Sequence, residues 1–319
     1  MVGNIMRILS KTFVNDLLKP EGILHPILTR IKKDQTLMLA IRKNYINIYY
    51  RGGNILKITE HPEGVYQTFF DNQYNKTEKN IPNSPDIIIS QDDSQKWVVS
   101  FSERKNIMDE YFSAYGKAER EFQQLLAREN NYSSISNETE YFIPDIEAAD
   151  PLGRFDIMAI RWLAKDRKYG SKCTTALIEM KYSDSALGGR AGLLKHLKDM
   201  DTFISDKEKY RKRLQTMESQ FNQLDELELL KFNKGRSNAK VKLNVNDKPE
   251  VIFILANHNP RSSKLKKILF DPEIKKYEQS ELFDLKFYVA CFAGYGLHAN
   301  CMFTLAQILQ LEHSFRNKK

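Results

Sequence analysis

The chain is expected to fold as an α/β protein in two parts: a small α+β part over residues 1–95, and a larger part over 96–319 built on a mixed sheet flanked by helices. Three observations predict this. Residues 36–70 hold four short runs of strand character separated by local turns, the pattern of an antiparallel meander. Residues 155–162, 174–182, 251–256 and 287–292 are dense apolar runs, which suit strands covered on both faces. Around those runs, apolar residues recur at helical spacing.

Each element follows from its local pattern. Residues 1–32 read as two short helices broken by Pro20-Glu21-Gly22, with Ile5, Leu9, Phe13 and Leu17 spaced four apart on one amphipathic face. The meander strands are 36–42, 46–50, 54–58 and 64–70. Gly52-Gly53 suits the tight turn between the second and third, because glycine tolerates positive φ. Asn, Asp, Ser, Lys and Pro crowd residues 72–95, a loop or hinge composition. A single helix is expected next. Phe112, Tyr115, Ala118, Phe122, Leu125 and Leu126 form its stripe, and Asn130-Asn131 ends it. A polar turn at 165–172 separates the first two apolar runs. Helices extend from about 191 to 230, with Leu193, Leu197, Met200 and Ile204 on one face. Residues 234–248 are basic and polar.

Composition narrows the class. The 319 residues are 41% hydrophobic and 28% charged, which excludes a disordered or collagen-like chain. The apolar runs are far too short to span a bilayer, so no membrane association is expected. Arg7, Lys11 and Asp16 interrupt any signal-peptide stretch. Three cysteines (Cys173, Cys291 and Cys301) form no disulfide framework, and their odd number points to reduced thiols in the cytoplasm. A net charge of +8 tilts the partner toward a polyanion such as nucleic acid.

The chemistry is concentrated in two adjacent apolar runs. Asp156 lies in one, and Glu179-Met180-Lys181 lies in the next. Side chains alternate across a strand, so Glu179 and Lys181 share a face while Ile178 and Met180 take the other. If the strands pair, Asp156 joins them. Buried carboxylates are costly unless they are paired or hold a cation. Two carboxylates and a backbone carbonyl suit Mg²⁺, which prefers oxygen ligands and keeps several waters. Lys181 could orient a water or neutralise charge on phosphorus oxygens. The matching chemistry is metal-assisted hydrolysis of a phosphodiester.

These residues resemble the PD-(D/E)XK nuclease superfamily, the restriction-endonuclease-like fold, over about residues 106–300. Gly153-Arg154-Phe155-Asp156 is similar to that family's first acid, and Ile178-Glu179-Met180-Lys181 to its acid-x-Lys. Ala118-Glu119-Arg120-Glu121-Phe122-Gln123 looks like the preceding acid-bearing helix, with Glu119 the preferred match and Glu121 the second. Lys195 or His196 would fill the polar position on the following helix. The triplet alone is weak, since Glu103-Arg104-Lys105, Asp166-Arg167-Lys168, Glu273-Ile274-Lys275 and Asp284-Leu285-Lys286 also match. Only the Glu179 triplet sits in an apolar strand after an acid-bearing strand and an acid-bearing helix.

The resemblance implies a Mg²⁺-dependent endonuclease, with Mn²⁺ able to substitute and DNA the expected substrate. It implies Glu119, Asp156 and Glu179 as metal ligands, and Lys181 beside them in catalysis. Arg190 and Lys195 would contact backbone phosphates. Restriction, repair and defence against mobile DNA are the settings it suggests. The N-terminal part is expected to serve specificity or a homodimer contact. The alternatives are a catalytically inactive nucleic-acid-binding module on the same fold and an interaction scaffold. Three weaker motifs carry bland readings. Gly188-Gly189-Arg190-Ala191-Gly192 fits a turn better than a phosphate loop. Cys291, His298 and Cys301 lack zinc spacing. The basic run at 207–213 is diluted by acids and reads as a solvated face.

Overall fold

The computed structural model describes residues 6–132, 139–189, 191–232, 239–258, 263–290, 297 and 299–316. It is a mixed α/β protein with two five-stranded sheets. Its contacts divide it into two compact units, residues 1–128 with 219–230, and residues 129–218 with 231–319. The boundary expected near residue 95 falls inside a helix.

The first unit opens with α1 (Lys11–Leu18), capped by the Ser10 side chain, and α2 (His25–Lys33). Leu9, Phe13 and Leu17 are buried, as their spacing predicts; Ile5 lies outside the described residues. The meander follows as β1 (Leu37–Ile41), β2 (Tyr45–Tyr50), β3 (Gly53–His61), β4 (Val65–Phe69) and β5 (Ile87–Ile88), antiparallel and in chain order. The turn between β2 and β3 sits one residue earlier than expected. Arg51 and Gly52 take its two positive-φ positions, at 47° and 72°. Gly53 begins β3 and is needed for space: a Cβ there would lie 2.6 Å from the Phe112 ring and 2.7 Å from the Met108 methyl.

The segment 72–95 is not wholly loop. It contains β5, and Ser90 caps α3 (Gln91–Ala114) by accepting from the Asp93 amide. The single helix expected through residue 131 is two helices, because α3 ends at Ala114 and α4 spans Ala118–Asn131. Tyr115, assigned to the apolar stripe, is exposed in the break beside Gly116. Glycine loses more conformational freedom in a helix than any other residue, so the break falls there at low cost.

The second unit is built on a sheet ordered β10-β9-β8-β7-β6. Strand β6 (Tyr141–Asp150), which the sequence reading passed over, pairs antiparallel with β7 (Gly153–Arg161), and β7 pairs antiparallel with β8 (Thr174–Tyr182). Helix α5 (Leu193–Ser205) and the part of α6 (Lys207–Glu226) before residue 219 follow, and then β9 (Glu250–Ala256) runs parallel to β8. Helices α7 (Ser263–Leu269) and α8 (Pro272–Lys275) lead to β10 (Asp284–Ala290), parallel to β9, and α9 (Leu305–Arg316) ends the unit. Strands β8 and β9 are buried almost throughout, which explains their unbroken apolar runs. No helix among the described residues is long and apolar enough to cross a membrane.

Candidate active site

Strand pairing brings the two acid-bearing runs together. The β7–β8 ladder aligns Met158 with Leu177 and Ile157 with Ile178, and it ends there. Asp156 and Glu179 are the next residues on each strand, at the point where the strands part. The Met180 amide donates to Asp156 Oδ2 at 3.2 Å, so the carboxylate takes a backbone group that the ladder no longer serves. All three groups are buried: Asp156 is 8% exposed, Glu179 3% and Lys181 5%.

Two nitrogens approach one oxygen of Glu179. Lys181 Nζ donates to Glu179 Oε1 at 2.7 Å, as alternation along β8 predicts. His196 Nδ1 lies 3.1 Å from the same oxygen. Helix α5 supplies His196, one residue before Leu197 on the border of its apolar stripe. Of the two candidates named on this helix, it is His196 that reaches Glu179. Lys195 is exposed and bound to Asp199 one turn along.

The electrostatics are those of an acid-rich pocket. Burial pushes the Glu179 carboxyl well above the usual carboxylate range, and the neighbouring Asp156 charge adds to that. Lys181 pulls it partly back. Burial, reinforced by the Lys181 charge, lowers the His196 imidazole to about 4, so it is neutral at physiological pH. Among the described residues, the Lys181 ammonium is paired with Glu179, and the Asp156 carboxyl lies beside that pair.

This donor set fits a hard divalent cation. Asp156 and Glu179 offer carboxyl oxygens on adjacent strands, and Mg²⁺ is commonly held by one or two carboxylates with water completing its shell. Among the described residues no group of three His, Cys, Asp or Glu side chains is arranged to hold a metal ion unaided. Water and backbone oxygens would complete the coordination here.

The remaining predicted residues are placed as follows. Glu119 lies in the first turn of α4, in the first unit. Glu121, the second choice, binds the Arg51 guanidinium of the β2–β3 turn, Nε to Oε1 at 3.0 Å, within the same unit. Arg190 lies outside the described residues, as do Cys291 and His298. Cys301 is exposed and unpaired in a disulfide.

Two features near the site escaped the sequence reading. Beyond β8 the chain turns sharply at Ser183, whose φ of 66° and ψ of 162° place it in a region nearly reserved for glycine. Next to it, Asp184 Oδ1 holds His258 Nδ1 at 2.7 Å across the ends of β8 and β9. The second feature is Glu250, at the head of β9. It is buried and accepts from Tyr141 Oη at 2.6 Å, Arg161 Nη1 at 3.1 Å and Lys286 Nζ at 2.6 Å. An acid opening an apolar run was the only signal for it; its partners come from three other strands. Comparison with known proteins names no relative: no family model, no curated protein and no solved structure matches this chain.

Proposed function

We propose that the chain is a metal-dependent endonuclease of the PD-(D/E)XK kind, hydrolysing phosphodiester bonds in DNA within the cytoplasm. The observation that carries this reading is the convergence of Asp156, Glu179 and Lys181 where β7 and β8 part. A mixed sheet with the acids on adjacent central strands agrees with the restriction-endonuclease-like architecture, and so does the order of acid-bearing helix, acid-bearing strand and acid-x-Lys strand.

Asp156 and Glu179 would hold Mg²⁺, with water and backbone oxygens completing its shell. A bound ion supplies Lewis-acid polarisation of the phosphoryl oxygen and a lowered pKa for its water. Lys181 places a positive charge beside Glu179, where it can neutralise charge developing on the phosphorus oxygens or orient the attacking water. His196, neutral and 3.1 Å from Glu179 Oε1, stands where it can steady the carboxyl's orientation, as outer partners of metal ligands do.

The test is cleavage of plasmid and oligonucleotide DNA by the purified protein with Mg²⁺. Asp156→Ala and Lys181→Met should each reduce the rate by about 10³-fold or more, the scale of losing a main transition-state contact, while leaving the circular dichroism spectrum unchanged. Undiminished cleavage in both variants would remove the assignment.

A further inference from the structure

We infer that the turn joining α7 to α8 is a contact surface for single-stranded nucleic acid, with the exposed ring of Phe270 as a base-stacking platform and Lys266 and Lys275 as phosphate contacts. The inference rests on the reading of the neighbouring site as a nuclease and names how its substrate is held.

Phe270 follows α7 directly and is 43% exposed, although its neighbours Leu269 and Ile274 are fully buried. The ring stays half in water, and the partners the structure records over it are cations rather than apolar side chains. Lys275 Nζ stands 4.5 Å from the ring centroid and Lys266 Nζ 5.6 Å from it. Residues 263–279 carry five lysines against three acids. Two of the acids are engaged within the fold: Asp271 caps α8 through the Glu273 amide, and Glu273 binds Lys198 at 2.9 Å and Lys276 at 3.5 Å. Among the described residues, no acid pairs with Lys266, Lys267 or Lys275. Lysines 195, 198, 209, 212, 248 and 286 of this unit are each paired with a carboxylate, while 165, 207, 240 and 242, like the patch lysines, have no such pair among the described residues.

The position also fits. Helix α7 packs on the short turn Asp184–Leu187, and Lys264 Nζ donates to the Ser185 carbonyl at 3.2 Å. That turn follows Lys181 after two residues, so the helix that carries Lys266 packs on the segment leaving the strand of Glu179 and Lys181. Beside it Gly189, at φ 81°, has nothing within 4 Å of where a Cβ would stand, leaving open backbone near the patch. An exposed aromatic flanked by unneutralised cations is the arrangement that binds single strands, since every base has a face to stack and a phosphate to pair.

Fluorescence anisotropy with a labelled 20-nucleotide single-stranded oligodeoxynucleotide, in chelator and over a range of salt, tests this. Phe270→Ala should weaken binding roughly 5- to 100-fold, the range of one lost stacked base. The double variant Lys266→Gln/Lys275→Gln should weaken it about 10-fold and flatten the salt dependence by a log–log slope of about 1.4, two phosphates' worth. Phe270 and Lys275 are exposed and Lys266 is half-buried, so unchanged circular dichroism of each variant is checked alongside, and the Glu179 site is untouched. Unchanged affinity and slope in both variants would overturn the inference. So would loss of wild-type binding to anionic phosphatidylserine vesicles in Phe270→Ala with no oligonucleotide binding at all, which would assign the patch to a membrane surface. Because divalent ions are absent, a protein that binds through this patch yet never cleaves DNA would sink the hydrolytic reading alone.

Discussion

Two buried ionic clusters occupy opposite faces of the second unit's sheet, and they are built on opposite plans. Glu250 aligns with Ala176 across the β8–β9 ladder, whereas Glu179 aligns with Phe253, so alternation sends the two acids to different faces. On one face a single carboxylate receives a tyrosine, an arginine and a lysine. On the other, among the described residues, Glu179 has the Lys181 ammonium and a neutral imidazole beside it, and Asp156 next to it accepts from the Met180 amide. The first cluster is saturated with donors and ties together four of the five strands. The second sets two carboxyl groups side by side in a place where burial already opposes charge. A buried carboxylate that is fully donated to is explained by the fold. A buried carboxyl pushed toward protonation beside a second one invites a ligand, and the divalent cation proposed above would relieve it.

The contrast can be broken most directly at Glu250. Glu250→Gln leaves two cationic side chains beside a neutral group, and breaking such a buried pair typically costs about 3–5 kcal/mol. Urea denaturation of the full chain should show a loss of that size; a change under about 1 kcal/mol would mean the cluster is not a keystone. The next effect concerns the other face. Mn²⁺ at about 100 times its dissociation constant should raise stability by about 2.7 kcal/mol through mass action, and Asp156→Ala should lose that gain. Stabilisation that persists in the variant would place the ion elsewhere. The smallest effect is the most discriminating. Glu179→Gln removes the charge that Asp156 opposes while keeping an oxygen for Lys181, so metal-free stability should stay within about 1 kcal/mol of the parent or rise. A loss matching that of Glu250→Gln would erase the distinction between the two clusters.

The comparison also explains what could be read in advance. Asp156, Glu179 and Lys181 were legible because a charged residue in an otherwise apolar strand is anomalous, and because period-two alternation fixes which residues share a face. The Glu250 cluster was not, since Tyr141, Arg161 and Lys286 reach it from strands whose order no local pattern reveals. His196 could be placed only as an alternative to Lys195. Both lie near the edge of the α5 stripe, and a rotation of about 100° per residue separates a site-facing side chain from a solvated one. The break between α3 and α4 was masked by apolar residues that kept helical spacing across it.

Local chemistry alone, then, determined the first four strands of the meander, strands β7 to β10 of the second sheet and the shared face of Glu179 and Lys181, because dihedral preference and side-chain periodicity act within a few residues. Tertiary structure decided the strand order, the parting of β7 and β8 beside Asp156, the choice of His196, and the division of α3 from α4. Those depend on contacts between residues far apart in the chain, where packing and desolvation outweigh local preference.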